Sequence, residues 1–296
     1  MDRPKAKFID VNGVRTRIFD EGTGPVVVLL HGAAFAVDCY NTWFRAIDAL
    51  CGEYRVVTFD QVGFGETDMP ADGCYQGRLE RVEHALAVLE ALEVEGAALV
   101  GHSEGAFVAA RIAITRPSMA SRLVIVTSGG TAPYLGDGRD AEWIKVAEAN
   151  YNDPAQFESE DAFIRIARGL CHKVHPDYEA LLREGFRHAR QTGHDKLMAN
   201  MPKADTDYRE RERLQREYVL PYLRNLDIPV LLVWALNDPG VVMQRAYKLL
   251  DYIANGELHV FADSAHNVMH DRADDFNRLL RGWCQPAQRA AVLSQP

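Results

Sequence analysis

The stretch Ala98-Leu99-Val100-Gly101-His102-Ser103-Glu104-Gly105-Ala106 constrains the fold more than any other in this chain. A short apolar run, a serine between two glycines and a run of small helix formers follow one another without a gap. Gly101 to Gly105 fits G-x-S-x-G, in which a strand turns sharply into a helix with the serine at the strained apex. Side chains at the flanking positions would collide with the neighbouring strand or helix, so glycine stands there. The turn exposes the Ser103 hydroxyl and aims the first amides of the helix at an anion forming beside it. A helix-capping serine after a glycine turn would also satisfy the pattern. The context separates the two readings, because residues 97–100 read as a buried strand and 106–113 as a helix.

Around this turn the chain alternates between strand and helix patterns. Apolar runs at 8–11 and 14–19 flank Asn12-Gly13, a hairpin signal. Residues 26–30 are continuously apolar, as expected of a strand covered on both faces, and end in His31-Gly32. A helical pattern follows at 41–51, then a strand at 55–59 closing on Asp60. An amphipathic helix at 79–92 carries Leu79, Val82, Leu86, Leu89 and Leu92 on one stripe. The next strand is at 122–126. Strand signals then vanish from 134 to 220, and the Arg- and Glu-rich run at 207–217 reads as a solvated helix face. Strands return at 230–234 and 258–261, with helices near 242–254 and 272–284.

That order predicts an α/β fold, a doubly wound and mostly parallel sheet with a segment inserted between two strands. The expected division is a core at 1–133 and 221–290, a helical cap or lid at 134–220, and a loose tail at 291–296. The cap should sit above the carboxyl ends of the strands, where such sheets bind ligands.

A serine hydroxyl needs a base, and the base needs an orienting acid. With this kind of turn the chain order is serine, acid, histidine. Asp238 lies just past the strand at 230–234 and His266 just past that at 258–261, so both should project from the sheet edge that carries Ser103. Asp263 and His270 are the nearest rivals. The oxyanion needs two backbone donors, expected from Glu104 and from either Ala33 or Ala34. Glu104 is an odd neighbour, since a carboxylate there opposes an anion unless it turns away or is neutral.

Composition narrows the partners. The net charge is −9, from 33 basic and 42 acidic residues, with no basic cluster, which argues against nucleic acid. The five cysteines show no metal spacing, so no metal or cofactor is expected, and reduced thiols in a cytoplasm fit their scatter. No apolar signal segment or membrane-spanning run is visible. The expected partner is a small-molecule substrate, without nucleic acid or membrane, and a homodimer or higher homo-oligomer is compatible with the chain.

Gly101 to Gly105, His31-Gly32, Asp238 and His266 together resemble the α/β-hydrolase superfamily, over nearly the whole chain apart from the cap. Within it, the segments at 60–67, 128–130, 258–261 and 273–279 are similar to those of the meta-cleavage product hydrolases. Those enzymes split carbon–carbon bonds in ring-opened aromatic compounds. The resemblance implies hydrolysis of a 2-hydroxy-6-oxo-dienoate in aromatic degradation. The alternative is an esterase or lactonase using the same triad. It also implies a cap arginine for the substrate carboxylate, with Arg183, Arg187 and Arg190 as candidates and Arg183 favoured. His31, Gly32, His102 and Asn267 are further candidates for substrate contact.

The chain departs from the family in three places. The loop after His31-Gly32 is Ala33-Ala34-Phe35-Ala36 rather than glycine-rich, Glu104 stands where an apolar residue is common, and Asn267 stands where tryptophan is frequent. Phe163, Ile166, Leu170 and Phe186 are expected either to line a pocket under the cap or to form the cap's own core.

Overall fold

The computed structural model describes residues 3–151, 153–199 and 208–285; the tail expected at 291–296 lies outside them. The chain opens with a hairpin, β1 (Lys7–Val11) and β2 (Val14–Glu21), turned by Asn12 and Gly13 at φ 54° and 81°. Both turn residues take positive φ, which Asn-Gly accommodates at little cost. The remaining strands are β3 (Val26–Leu30), β4 (Arg55–Phe59), β5 (Ala97–His102), β6 (Ala120–Val126), β7 (Val230–Ala235) and β8 (Gly256–Phe261). They form one eight-stranded sheet in the order β1-β2-β4-β3-β5-β6-β7-β8. β1 and β2 pair antiparallel; every pair from β4 to β8 is parallel.

The helices between strands are α1 (Cys39–Leu50), α2 (Arg78–Ala91) and α3 (Glu104–Thr115). Their apolar stripes cover the two faces of the sheet. One face packs Phe107, Val108 and Ile112 of α3 and Val82, Leu86 and Leu89 of α2. The other packs Trp43, Ile47 and Leu50 of α1. The central strands are buried on both sides, which is why they read as unbroken apolar runs.

Between β6 and β7 the described residues form the helices α4 (Gly138–Tyr151), α5 (Glu160–Arg168), α6 (Pro176–Thr192), α7 (His194–Ala199), α8 (Tyr208–Tyr218) and α9 (Leu220–Leu223), joined by loops. They share a core with the loop that follows β3, whose Phe35 meets Phe163 and Phe186 edge-on at 5.4 and 5.7 Å. After β7 come α10 (Met243–Leu250), α11 (Val268–Asp271) and α12 (Ala273–Trp283). The final helix expected near 272–284 is present as α12, separated from the short α11 at Arg272, whose φ of −126° and ψ of 44° is not helical.

The loop after β4 is fixed by a buried ion cluster. Arg17 of β2 lies 2.6 Å from Asp60 and 3.2 Å from Asp38, the residue that caps α1. Asp60 also accepts from the amides of Cys39 and Glu66 at 2.8 Å each. The cluster ties the ends of β2 and β4 to the start of α1, beside the loop that follows β3. Among the described residues no helix is long and apolar enough to cross a membrane.

Candidate active site

β5 ends at His102 and α3 begins at Glu104, leaving Ser103 alone at the turn with φ 53° and ψ −120°. Holding a non-glycine residue there costs about 1–3 kcal/mol, so the surroundings must over-determine it. A Cβ at Gly105 would fall on the carbonyls of Leu30 and His31, and one at Gly101 on the backbone of Gly105 and Ala106. The serine is also braced from β6. Its amide donates to Val126 O at 2.9 Å, and Ser128 Oγ donates to Ser103 O at 2.7 Å.

Asp238 and His266 meet on neighbouring loops. Asp238 Oδ1 accepts from the amides of Gly240 and Val241 at 2.7 and 2.9 Å. Its Oδ2 lies 2.9 Å from His266 Nδ1, and both side chains are buried. Thus one carboxylate oxygen is anchored and the other orients the imidazole. Neither rival makes that pairing, although His270 also lines the pocket that Ser103 and His266 share. Asp263 occupies the turn after β8 at φ 50°. His270 stacks on Tyr178 at 3.7 Å and has Arg45 Nη1 at 3.0 Å from its Nδ1.

Ser103 and His266 line one pocket. Gly32, Ala33, Ala34, His102, Glu104 and Asn267 join them from the core, and Phe163, Ile166, Leu170, Tyr178, Leu182 and Met198 from the cap. Phe186 instead lies in the cap's aromatic core, stacked on Phe163 at 5.6 Å. α3 opens at Glu104, so the Glu104 amide has no acceptor within its helix and is available to an oxyanion.

The Glu104 side chain turns to α2, where Arg78 grips it with a forked pair at 2.5 and 2.7 Å. Burial opposes its charge, but Arg78, Arg211 and Arg81 outweigh burial and hold the carboxyl at about 2. Glu104 is therefore ionised and neutralised locally, which removes its conflict with an oxyanion.

Four expected contacts are corrected. His31 is buried beneath the pocket rather than lining it: its Nε2 accepts from the Gln61 amide at 3.0 Å and its Nδ1 meets Gly32 O at 2.6 Å. Burial lowers its pKa to about 4. Arg183 is held on the cap surface by Glu160, Glu179 and Asp161 at 2.9, 3.0 and 3.1 Å. Arg187 pairs with Glu160 at 3.1 Å, while Arg190 pairs with Asp195 at 2.8 Å. None of these arginines lines the pocket, because carboxylates of α5, α6 and α7 already satisfy them.

Among the described residues, an arginine that does line the pocket is Arg211 of α8. It comes from the run expected to be a solvated face. Part of that run is solvated, since Arg213 pairs with Glu210 and Glu217 on the exposed side. Leu214 and Gln215 point inward, and Gln215 donates to Gly129 O at 2.5 Å. Only the two apolar positions Leu214 and Val219 hinted at a buried side in the sequence. Arg78 was invisible at that level, since nothing local marks it as a partner of Glu104.

A family model for the alpha/beta hydrolase fold matches residues 25–273. The 2-hydroxymuconate semialdehyde hydrolase of Pseudomonas sp. (strain CF600) is 30% identical over 283 residues, covering 95% of this chain and 94% of that one. The 2-hydroxy-6-oxo-2,4-heptadienoate hydrolase of Pseudomonas putida is 28% identical, covering 94% and 95%. A solved meta-cleavage product hydrolase from Pseudomonas fluorescens IP01 superposes with a TM-score of 0.77 at 26% identity, covering 94% of this chain and 96% of that one. The chain belongs to the alpha/beta hydrolase fold family. Within that family it stands with the meta-cleavage product hydrolases, enzymes acting on carbon–carbon bonds.

Proposed function

We propose that this protein hydrolyses the C5–C6 bond of a 2-hydroxy-6-oxo-dienoate from aromatic ring cleavage. The observation that carries the reading is the pocket: a serine and histidine in an apolar enclosure with a guanidinium, that of Arg211, in its wall. An anionic, otherwise apolar substrate fits that lining, since a buried carboxylate needs a cation. Residues 134–220 act as the cap that encloses it.

The dienol first ketonises, its 2-hydroxyl proton moving to C5. Ser103 Oγ, or a water that it orients, then adds to the C6 carbonyl while His266 takes the proton. Asp238 stabilises the imidazolium through Nδ1. The amides of Glu104 and of Ala33 or Ala34 receive the oxyanion. The C5–C6 bond breaks, its electron pair enters the conjugated 2-oxo system, and His266 returns the proton to carbon. If serine attacked, water releases the acyl group. Arg211 receives the substrate carboxylate.

The five free cysteines are consistent with a reducing compartment, and we place the enzyme in the cytoplasm. A turnover assay of ring-cleavage dienoates beside short p-nitrophenyl esters tests the reaction. Higher kcat/KM on the dienoates is expected; preference for the esters would make it an esterase.

A further inference from the structure

The main-chain carbonyl of His266 is held by two side chains from the sheet. His102 Nε2 lies 3.1 Å from it and Thr127 Oγ1 donates to it at 2.8 Å. A carbonyl only accepts, so His102 Nε2 carries the hydrogen and donates. We infer that His102 is a positioning residue, which sets the catalytic base against the nucleophile by gripping the His266 backbone.

The argument is geometric. His266 sits on a loop between β8 and α11, and Asp238 holds the ring at Nδ1, not the backbone that carries it. The ring can still move with its backbone unless the backbone is tied. His102 is the peptide neighbour of Ser103 and the hydrogen-bond partner of His266, so one rigid residue spans the two. Its own ring has little freedom, being buried at the end of β5 with the His266 ring at 4.8 Å and Trp43 at 6.4 Å. Thr127, following β6, supplies the second tie. A base displaced by a fraction of an ångström loses much of the advantage of preorganisation.

His102 also stays uncharged. Burial, with His266, His270 and His31 nearby, pushes its pKa well below the usual histidine range. A neutral ring does not oppose the imidazolium that forms on His266. Asparagine in its place would be too short to span the same gap, whereas glutamine places an amide N–H near the position of Nε2.

The test uses the full chain and a short activated ester, which any enzyme with this triad hydrolyses, so its result does not depend on the carbon–carbon reading. His102→Leu should lower kcat about 10- to 100-fold, with KM within about threefold, at unchanged occupancy of folded protein by circular dichroism. The acid limb of the pH–rate profile should move as well. His102→Gln should regain most of the loss, and Thr127→Val should reduce kcat and compound the loss in His102→Leu. A packing role predicts instead that His102→Gln is no better than His102→Leu. That result, or a His102→Leu enzyme with kcat within twofold and an unmoved pH profile, would overturn the assignment. Should His102→Leu fail to fold, His102→Gln against Thr127→Val decides it: an unaltered kcat in Thr127→Val would overturn the grip.

Discussion

In the proposed mechanism Ser103, His266 and Asp238 act as a unit, so single substitutions at the site should cost nearly the whole rate. Ser103→Ala is expected to lower kcat roughly 10⁴- to 10⁶-fold with the fold intact; activity within tenfold of wild type would remove Ser103 from the chemistry. Asp238→Asn leaves a side chain of the same shape but presents the wrong partner to Nδ1, and a loss on the order of 10⁴ is expected. If Asp263→Asn had that effect instead, the acid would be misassigned. Arg211→Gln should raise KM for a dienoate by about 1.5–3 kcal/mol, or roughly 10- to 150-fold, and leave a neutral ester nearly unaffected. Equal effects on both substrates would make Arg211 a bracing residue only.

At the scale of elements, the loop bearing His266 is bolted to the cap. Asp271, at the end of α11, accepts from the amides of Ala265 and His172 at 2.8 and 2.9 Å and from Lys173 at 2.9 Å. The Asn267 amide donates to Leu170 O at 3.1 Å across the same seam. The chain leaving β6 for the cap is gripped too. Buried Arg245 of α10 donates to the carbonyls of Ala132 and Pro133 while Trp143 stacks over it at 4.2 Å. Seating of the cap and placement of His266 are thus mechanically linked. Asp271→Asn removes a charge-assisted acceptor worth about 1.5–3 kcal/mol. Amide exchange should then quicken at 170–173 and at 264–267 together. Faster exchange in one of the two segments alone would show that they are not coupled.

Across the whole molecule, buried neutral histidines make stability depend on pH. Burial lowers His31 and His84 to about 4 and His194 to about 3, and puts His102 and His270 well below their usual range. An unfolded histidine titrates near 6.5. Below that pH the unfolded chain binds more protons than the folded one, so unfolding free energy falls as pH falls. Glu104, held at about 2, adds a loss of the same sign below the usual glutamate range. Chemical denaturation between pH 7.5 and pH 4.5 should show a steady loss with an uptake of several protons on unfolding. A flat profile through that window would mean these rings are charged in the fold.

The sequence by itself determined the sheet and the chemistry it carries. The apolar runs, the Asn12-Gly13 hairpin and the glycine-flanked serine are local signals, because strand burial and positive φ act on neighbours in the chain. The same holds for Asp238 and His266, whose places follow from strand ends. What only the tertiary structure decided is which side chains face one another across elements. Charge spacing cannot say that Arg183 is used up by Glu160 and Glu179 while Arg211 turns inward. Nor can it say that Glu104 is neutralised by Arg78 of another helix, or that His102 and Thr127 converge on the His266 carbonyl. Such pairings depend on how helices and loops distant in the chain pack together, and an ionic or polar side chain carries no local mark of the partner it will find.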